Sequence, residues 1–181
     1  VRLAEQRHGP QNDRALLAKE GLAVCLAKAN RFTESADLLR DALGVASKTY
    51  GDLDERTIGL KSNLATVLSQ KGDYDDAEAL YKSALSTGSK ARAVDGLNGV
   101  SDPGNLRQSS VDNLAILYKQ KSEEKEKTLG KTHPDTLSSL VERADFLMRA
   151  IRGKEDADTA IEIYEKVLAA ETERYGLFHP E

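Results

Sequence analysis

Three histidines and one cysteine are the residues of this 181-residue chain best suited to metal binding or nucleophilic chemistry. His8, His133 and His179 could each ligate a metal ion, and the Cys25 thiolate could attack a carbonyl carbon beside a suitable base. Their spacing argues against both. A metal site needs three or four converging ligands, whereas each histidine falls alone in a connector with no second ligand at helical spacing. The expected role is structural: each histidine precedes a helix start, and Pro134 takes a first helical position where its missing N–H costs nothing. Cys25 lies between Leu22 and Leu26 with no histidine near it in sequence, so the pattern predicts a small core residue. The acidic run Asp73-Tyr74-Asp75-Asp76 reads as a helix start, where carboxylates suit the dipole, and Glu123-Glu124-Lys125-Glu126-Lys127 as a solvated face. No glycine follows a strand, so neither a phosphate loop nor a dinucleotide turn is present. The chain therefore reads as a non-enzyme with no metal or cofactor.

Charge and composition narrow the choice further. Lys+Arg number 26 against 30 Asp+Glu, a net charge of −4, with both signs mixed along the chain, which argues against a nucleic-acid partner. The longest uncharged apolar run, residues 21–27, is far short of the roughly 20 residues that cross a membrane. Without an apolar leader, and with one cysteine that cannot form an internal disulfide, a soluble chain in a reducing, cytoplasmic setting is expected. The absence of an initiating Met and the stop at His179-Pro180-Glu181 suggest a piece of a longer protein.

The elements that must position any site are helices. Val and Ile never alternate with polar residues over a strand's length, while Leu60, Leu64, Val67, Leu68 and Ala77, Leu80, Tyr81, Ala84, Leu85 recur three and four apart. Breakers separate these stripes at Gly51-Asp52, Lys71-Gly72-Asp73, residues 96–104, residues 130–134, Gly153 and Gly176. The pattern also repeats. A shift of 42 positions carries Leu22-Ala23 onto Leu64-Ala65, Leu26 onto Leu68, Phe32 onto Tyr74, Leu38 onto Leu80 and Ala42-Leu43 onto Ala84-Leu85. A third copy begins at Asn113-Leu114-Ala115, and a fourth carries Ala144 and Leu147. The small residues Ala23, Ala65, Ala115 and Ala144 face Ser35, Ala77 or Ala160 on a second helix, which lets paired helices approach to about 8–10 Å. Each unit is an antiparallel helical hairpin. The six tyrosines, Tyr50, Tyr74, Tyr81, Tyr118, Tyr164 and Tyr175, fall at repeat-equivalent core or end positions and read as packing residues.

These residues carry a resemblance. The stretch from Asn63-Leu64-Ala65-Thr66 through Lys71-Gly72-Asp73-Tyr74-Asp75-Asp76-Ala77 to Ser83-Ala84-Leu85 resembles the tetratricopeptide repeat in its 42-residue, kinesin-light-chain-like form. Thr128-Leu129-Gly130-Lys131-Thr132-His133-Pro134-Asp135-Thr136 is similar to that family's linker, and Arg174-Tyr175-Gly176-Leu177-Phe178-His179-Pro180 repeats it. The resemblance implies an all-α, right-handed solenoid of antiparallel hairpins spanning residues 8–181 as one array, with units near 12–51, 54–93, 105–130 and 134–176. Residues 88–105, rich in Gly, Ser and Asn, read as a flexible insertion loop. The third unit is truncated, lacking most of its second helix, so one long helix over residues 106–129, or a helix and a stub, is expected, with the weakest interface near residues 88–107. The fourth unit carries four extra residues near 153–156.

For function, the resemblance implies a concave groove lined by the first helix of each unit and a protein or peptide partner held there. In the first unit the groove positions are Glu20, Val24, Ala27 and Lys28; the candidate binding residues elsewhere are Ser62, Asn63, Thr66 and Gln70, then Asp112, Asn113, Lys119 and Gln120, then Asp145 and Arg149. Asn63 and Asn113 resemble the family's groove asparagines, whose amides can bond a peptide backbone in both directions. Members that hold chaperone C-termini place Lys and Asn where this chain has Glu20 and Val24, Ser62 and Thr66, Asp112 and Ile116, so that ligand is disfavoured. The alternative is a structural or autoregulatory repeat segment of a larger nucleotide-dependent switch protein. Oligomeric state is not legible at this level.

Overall fold

The computed structural model describes residues 13–94, 103–150 and 153–175, without the side chains of 89–94 and 103–107. His8 and His179 lie outside the described residues, as does the stretch 95–102 of the expected loop. The fold is all-α. Among the described residues seven helices follow in order: α1 Asp13–Lys28, α2 Phe32–Tyr50, α3 Glu55–Lys71, α4 Tyr74–Val94, α5 Pro103–Leu129, α6 Pro134–Ala150 and α7 Lys154–Tyr175. From α1 to α4 each helix packs on the next, and α6 packs on α7. Two compact units result, residues 1–113 and 114–181.

Local sequence explains the helix ends. Asp54 caps α3 by accepting the backbone N–H of Arg56 at 3.0 Å, an interaction that with the Arg56 side chain holds its carboxyl below the usual carboxylate range. Pro134 opens α6 as expected, and His133 acts as its cap: Nδ1 accepts the N–H of Asp135 at 3.2 Å and the carbonyl accepts that of Leu137 at 3.0 Å. Backbone with positive φ follows four of the helices. Gly72 (φ 95°) ends α3, and the residue 42 positions earlier, Asn30 (φ 59°), adopts the same conformation after α1. Gly130 (φ 92°) repeats Gly51 (φ 87°) in the connector between hairpins.

In the first unit the core is a stack of Leu and Ala. Leu39 of α2 and Leu64, Val67 and Leu68 of α3 are buried, each contributing about 1.5–3 kcal/mol. The small-residue pairs are where the sequence put them: Ala23 and Ser35, Ala65 and Ala77, Ala144 and Ala160 are all fully buried. Ser35 Oγ also donates to the Ala23 carbonyl at 2.7 Å, so the first close approach carries a hydrogen bond. In the second unit Leu140, Ala144 and Leu147 of α6 form a cluster with Ala160 and Ile163 of α7, against which Val167 packs.

Three expectations change. Cys25 is exposed rather than a core residue, and Leu22 beside it is exposed as well. Helix α1 buries the face bearing Ala15, Leu16, Lys19 and Ala23, and α2 is its main packing partner among the described helices. Helical structure also runs into both ends of the expected insertion loop, through Gly88 to Val94 and again from Pro103.

The third change concerns α5, which is one continuous helix, longer than the expected 106–129 by three residues. Its C-terminal half stands toward α6 as α2 stands toward α3. Thr136 Oγ1 donates to the Lys125 carbonyl at 3.2 Å, and the Tyr118 and Phe146 rings meet with centroids 5.0 Å apart. A shift of 79 positions carries Leu39 and Val67, which line one cavity in the first unit, onto Tyr118 and Phe146. In this register Ala115 is not a hairpin-facing small residue, and it is only half-buried.

Candidate functional site

Helices α1 and α3 lie side by side across α2, and the space between them is a cavity of about 210 Å³. Val24, Ala27 and Lys28 of α1 form one wall, Asn63, Thr66, Val67 and Gln70 of α3 the other, and Leu39 of α2 the floor. The lining is apolar at depth and polar at the rim. Its side chains come from a spacing of three and four on each helix, and two of them, Val24 and Lys28, recur 42 positions later as Thr66 and Gln70.

The polar groups at the rim are held in place. Asn63 Nδ2 donates to Glu20 Oε1 at 2.6 Å, which ties α3 to α1 at one end of the cavity. An amide has a second N–H and a carbonyl oxygen, so this bond uses a fraction of its capacity. Thr66 Oγ1 lies 2.7 Å from the Tyr81 hydroxyl and donates to the Ser62 carbonyl at 3.0 Å. Tyr81 itself is buried, which pushes its hydroxyl pKa up, opposed by the bond with Thr66. Gln70 is exposed at the opposite end, and Lys28 supplies a cation on the α1 side.

The structure thus brings Asn63, Thr66 and Gln70 together around one cavity, with Ser62 beside them, its own hydroxyl turned to the Ile58 carbonyl at 3.3 Å. Asp112 accepts from Gln108 Nε2 at 3.3 Å, and Asn113 is half-buried one residue on. In the second unit Lys119 is exposed with Glu123 at 3.9 Å, and Gln120 is half-buried. Asp145 and Arg149 stand one turn apart on α6, where Asp145 accepts the hydroxyl of Tyr164. That contact repeats the Thr66–Tyr81 pairing, 79 and 83 positions later.

Sequence reasoning missed two contributors. Leu39 was not singled out, although its place beneath both first helices makes it the cavity floor. Lys19, nearly fully buried, bridges to Asp41 at 2.5 Å and holds α1 on α2. Among the described residues no three His, Cys, Asp or Glu side chains converge in a way that could hold a metal, and no helix is long and apolar enough to cross a membrane.

Comparison with known proteins agrees with this architecture. Residues 2–89 match the family model described as tetratricopeptide repeat. A solved structure from Podosopora anserina, described provisionally as a kinesin light chain with nearly identical tetratricopeptide-like repeats, shares the fold at TM-score 0.51 and 18% identity, over 97% of this chain and 83% of that one. A point variant of that protein gives TM-score 0.50 and 17% identity, over 96% and 82%. No curated protein matches the chain in sequence.

Proposed function

We propose that this chain, a tetratricopeptide-repeat protein with kinesin-light-chain-like units, acts as an interaction module that holds a peptide segment along the groove between α1 and α3. Repeats of this fold mediate protein–protein interactions rather than catalysis. The observation that carries the finer reading is the cavity itself. It is smaller than the roughly 300–1,000 Å³ of a small-molecule pocket, yet larger than the roughly 150 Å³ void that takes a benzene ring. That size fits one large apolar side chain of an extended peptide. Asn63 and Gln70, seven residues apart at the two ends of the cavity, are placed to bond the peptide backbone on either side of such an anchor. A reducing, cytoplasmic setting suits a single thiol that stands exposed.

Selection of binders from a random-peptide phage library tests the reading. The expected enrichment is for peptides with one aromatic or large aliphatic residue, and their binding is lost on Ala27→Phe, which fills the cavity without removing a hydrogen bond. Combining Asn63→Ala, Gln70→Ala and Asn113→Ala weakens the same peptides. Enriched peptides that bind the Ala27→Phe chain as well as the original would place recognition elsewhere.

A further inference from the structure

On α1, Glu20, Val24 and Lys28 follow one another at intervals of four residues, and all three stand on the side of the helix that faces α3. Val24 and Lys28 line the cavity, and Glu20 meets its rim through the bond from Asn63. The groove therefore carries a carboxylate at one end, apolar lining in the middle and an ammonium at the other. Its α3 wall is uncharged in the same register, since Ser62 and Gln70 stand 42 positions after Glu20 and Lys28.

No group within the described chain compensates these two charges. Neither Glu20 nor Lys28 has an ion-pair partner among the described residues, whereas Asp13 and Lys19 of the same helix pair with Arg56 at 3.2 Å and Asp41 at 2.5 Å. Asn63 brings Glu20 no positive charge and leaves its second oxygen as an acceptor. Lys28, in the last turn of α1, suits the negative end of the helix dipole, but Glu20 at mid-helix gains nothing from that dipole.

We propose that the ligand of this groove is a segment with opposite charges on its two flanks. An apolar anchor residue fills the cavity, a basic residue two positions to one side meets Glu20, and an acidic residue two positions to the other side meets Lys28. The proposal rests on the reading that a peptide occupies the groove, and it specifies the sequence class of that peptide. Two regular structures fix the spacing. Residues four apart on a helix are separated by a rise of about 6 Å, and residues two apart in an extended strand, which point to the same side, advance by about 6.6 Å. An extended peptide lying along α1 thus keeps step with Glu20, Val24 and Lys28 over one anchor and both its flanks. Like charges on the two flanks would set one of them against a group of its own sign.

Selection from a phage library with a fixed aromatic anchor and randomised flanks tests the charge pattern. The expected ligands carry opposite charges at the two positions second from the anchor. In fluorescence anisotropy, making either flank of such a peptide neutral should weaken binding by about two- to fivefold. Glu20→Gln keeps an oxygen that can accept the Asn63 N–H, and on this chain neutralising the basic flank no longer matters while neutralising the acidic flank still does. Lys28→Gln should give the reverse. Anchored peptides whose binding is lost with Ala27→Phe, but which show no charge preference or the same sign on both flanks, would overturn the proposal and leave groove binding standing. Peptides that bind the Ala27→Phe chain as tightly as the original would overturn both.

Discussion

A buried hydroxyl lowers stability unless something accepts its proton, and two equivalent threonines in this chain differ on that point. Thr136 donates to the Lys125 carbonyl, whereas Thr57, 79 positions earlier and fully buried, is the one buried side-chain polar atom among the described residues without a partner. Replacing Thr57 with Val keeps the shape and removes the unpaired group, so thermal unfolding should show no loss, or a gain of up to about 1 kcal/mol. Thr136→Val should cost about 1 kcal/mol, since it deletes a made bond. At this scale the repeat pattern read the small residues well: Ala23, Ala65 and Ala144 and their partners are buried because only they permit the close helix approach. Cys25 and Leu22 were misread for a physical reason. They hold the same register as Val67 and Leu64, but α3 has α2 behind it, and no described helix covers that face of α1.

Helix ends decide how the elements turn back on one another. The hairpin turn after α1 and the one after α3 both need a left-handed residue, supplied by Asn30 and Gly72. Gly72 stands in open space, with no atom near where a Cβ would lie, so Gly72→Ala loses backbone energy alone and should destabilise by about 1–2 kcal/mol in denaturant unfolding. Asn30→Gly at the equivalent turn should be neutral or slightly stabilising. The sequence displayed Gly51, Gly72 and Gly130 as breakers, but Asn30 tolerates the left-handed region without announcing it, and only the 42-residue shift identifies the turn. Helix α5 is continuous, one of the two forms expected for it. Its role was harder to see because its Asn113-Leu114-Ala115 start matches a first helix, while the register of its last two turns, through Gly130, matches α2.

For the whole molecule, two compact units each bury their own stripe, and the candidate groove belongs to the first of them. The walls of that groove were legible, since Val24, Ala27, Lys28, Thr66 and Gln70 are spaced to share one face of paired first helices. Its depth was not, because the cavity arises from Leu39 meeting both helices from below, a three-helix contact that no single periodicity encodes. The fold class follows from repetition, and the proposed peptide partner rests on that cavity.

The most direct test of the account is amide chemical-shift mapping of the isotope-labelled chain titrated with a peptide selected for binding. Groove recognition predicts that the largest saturable changes fall on Val24, Ala27, Lys28, Asn63, Thr66 and Gln70, and disappear with Ala27→Phe. Saturable changes confined to the exposed face of α2, at Asp37, Arg40 and Lys48, would contradict it.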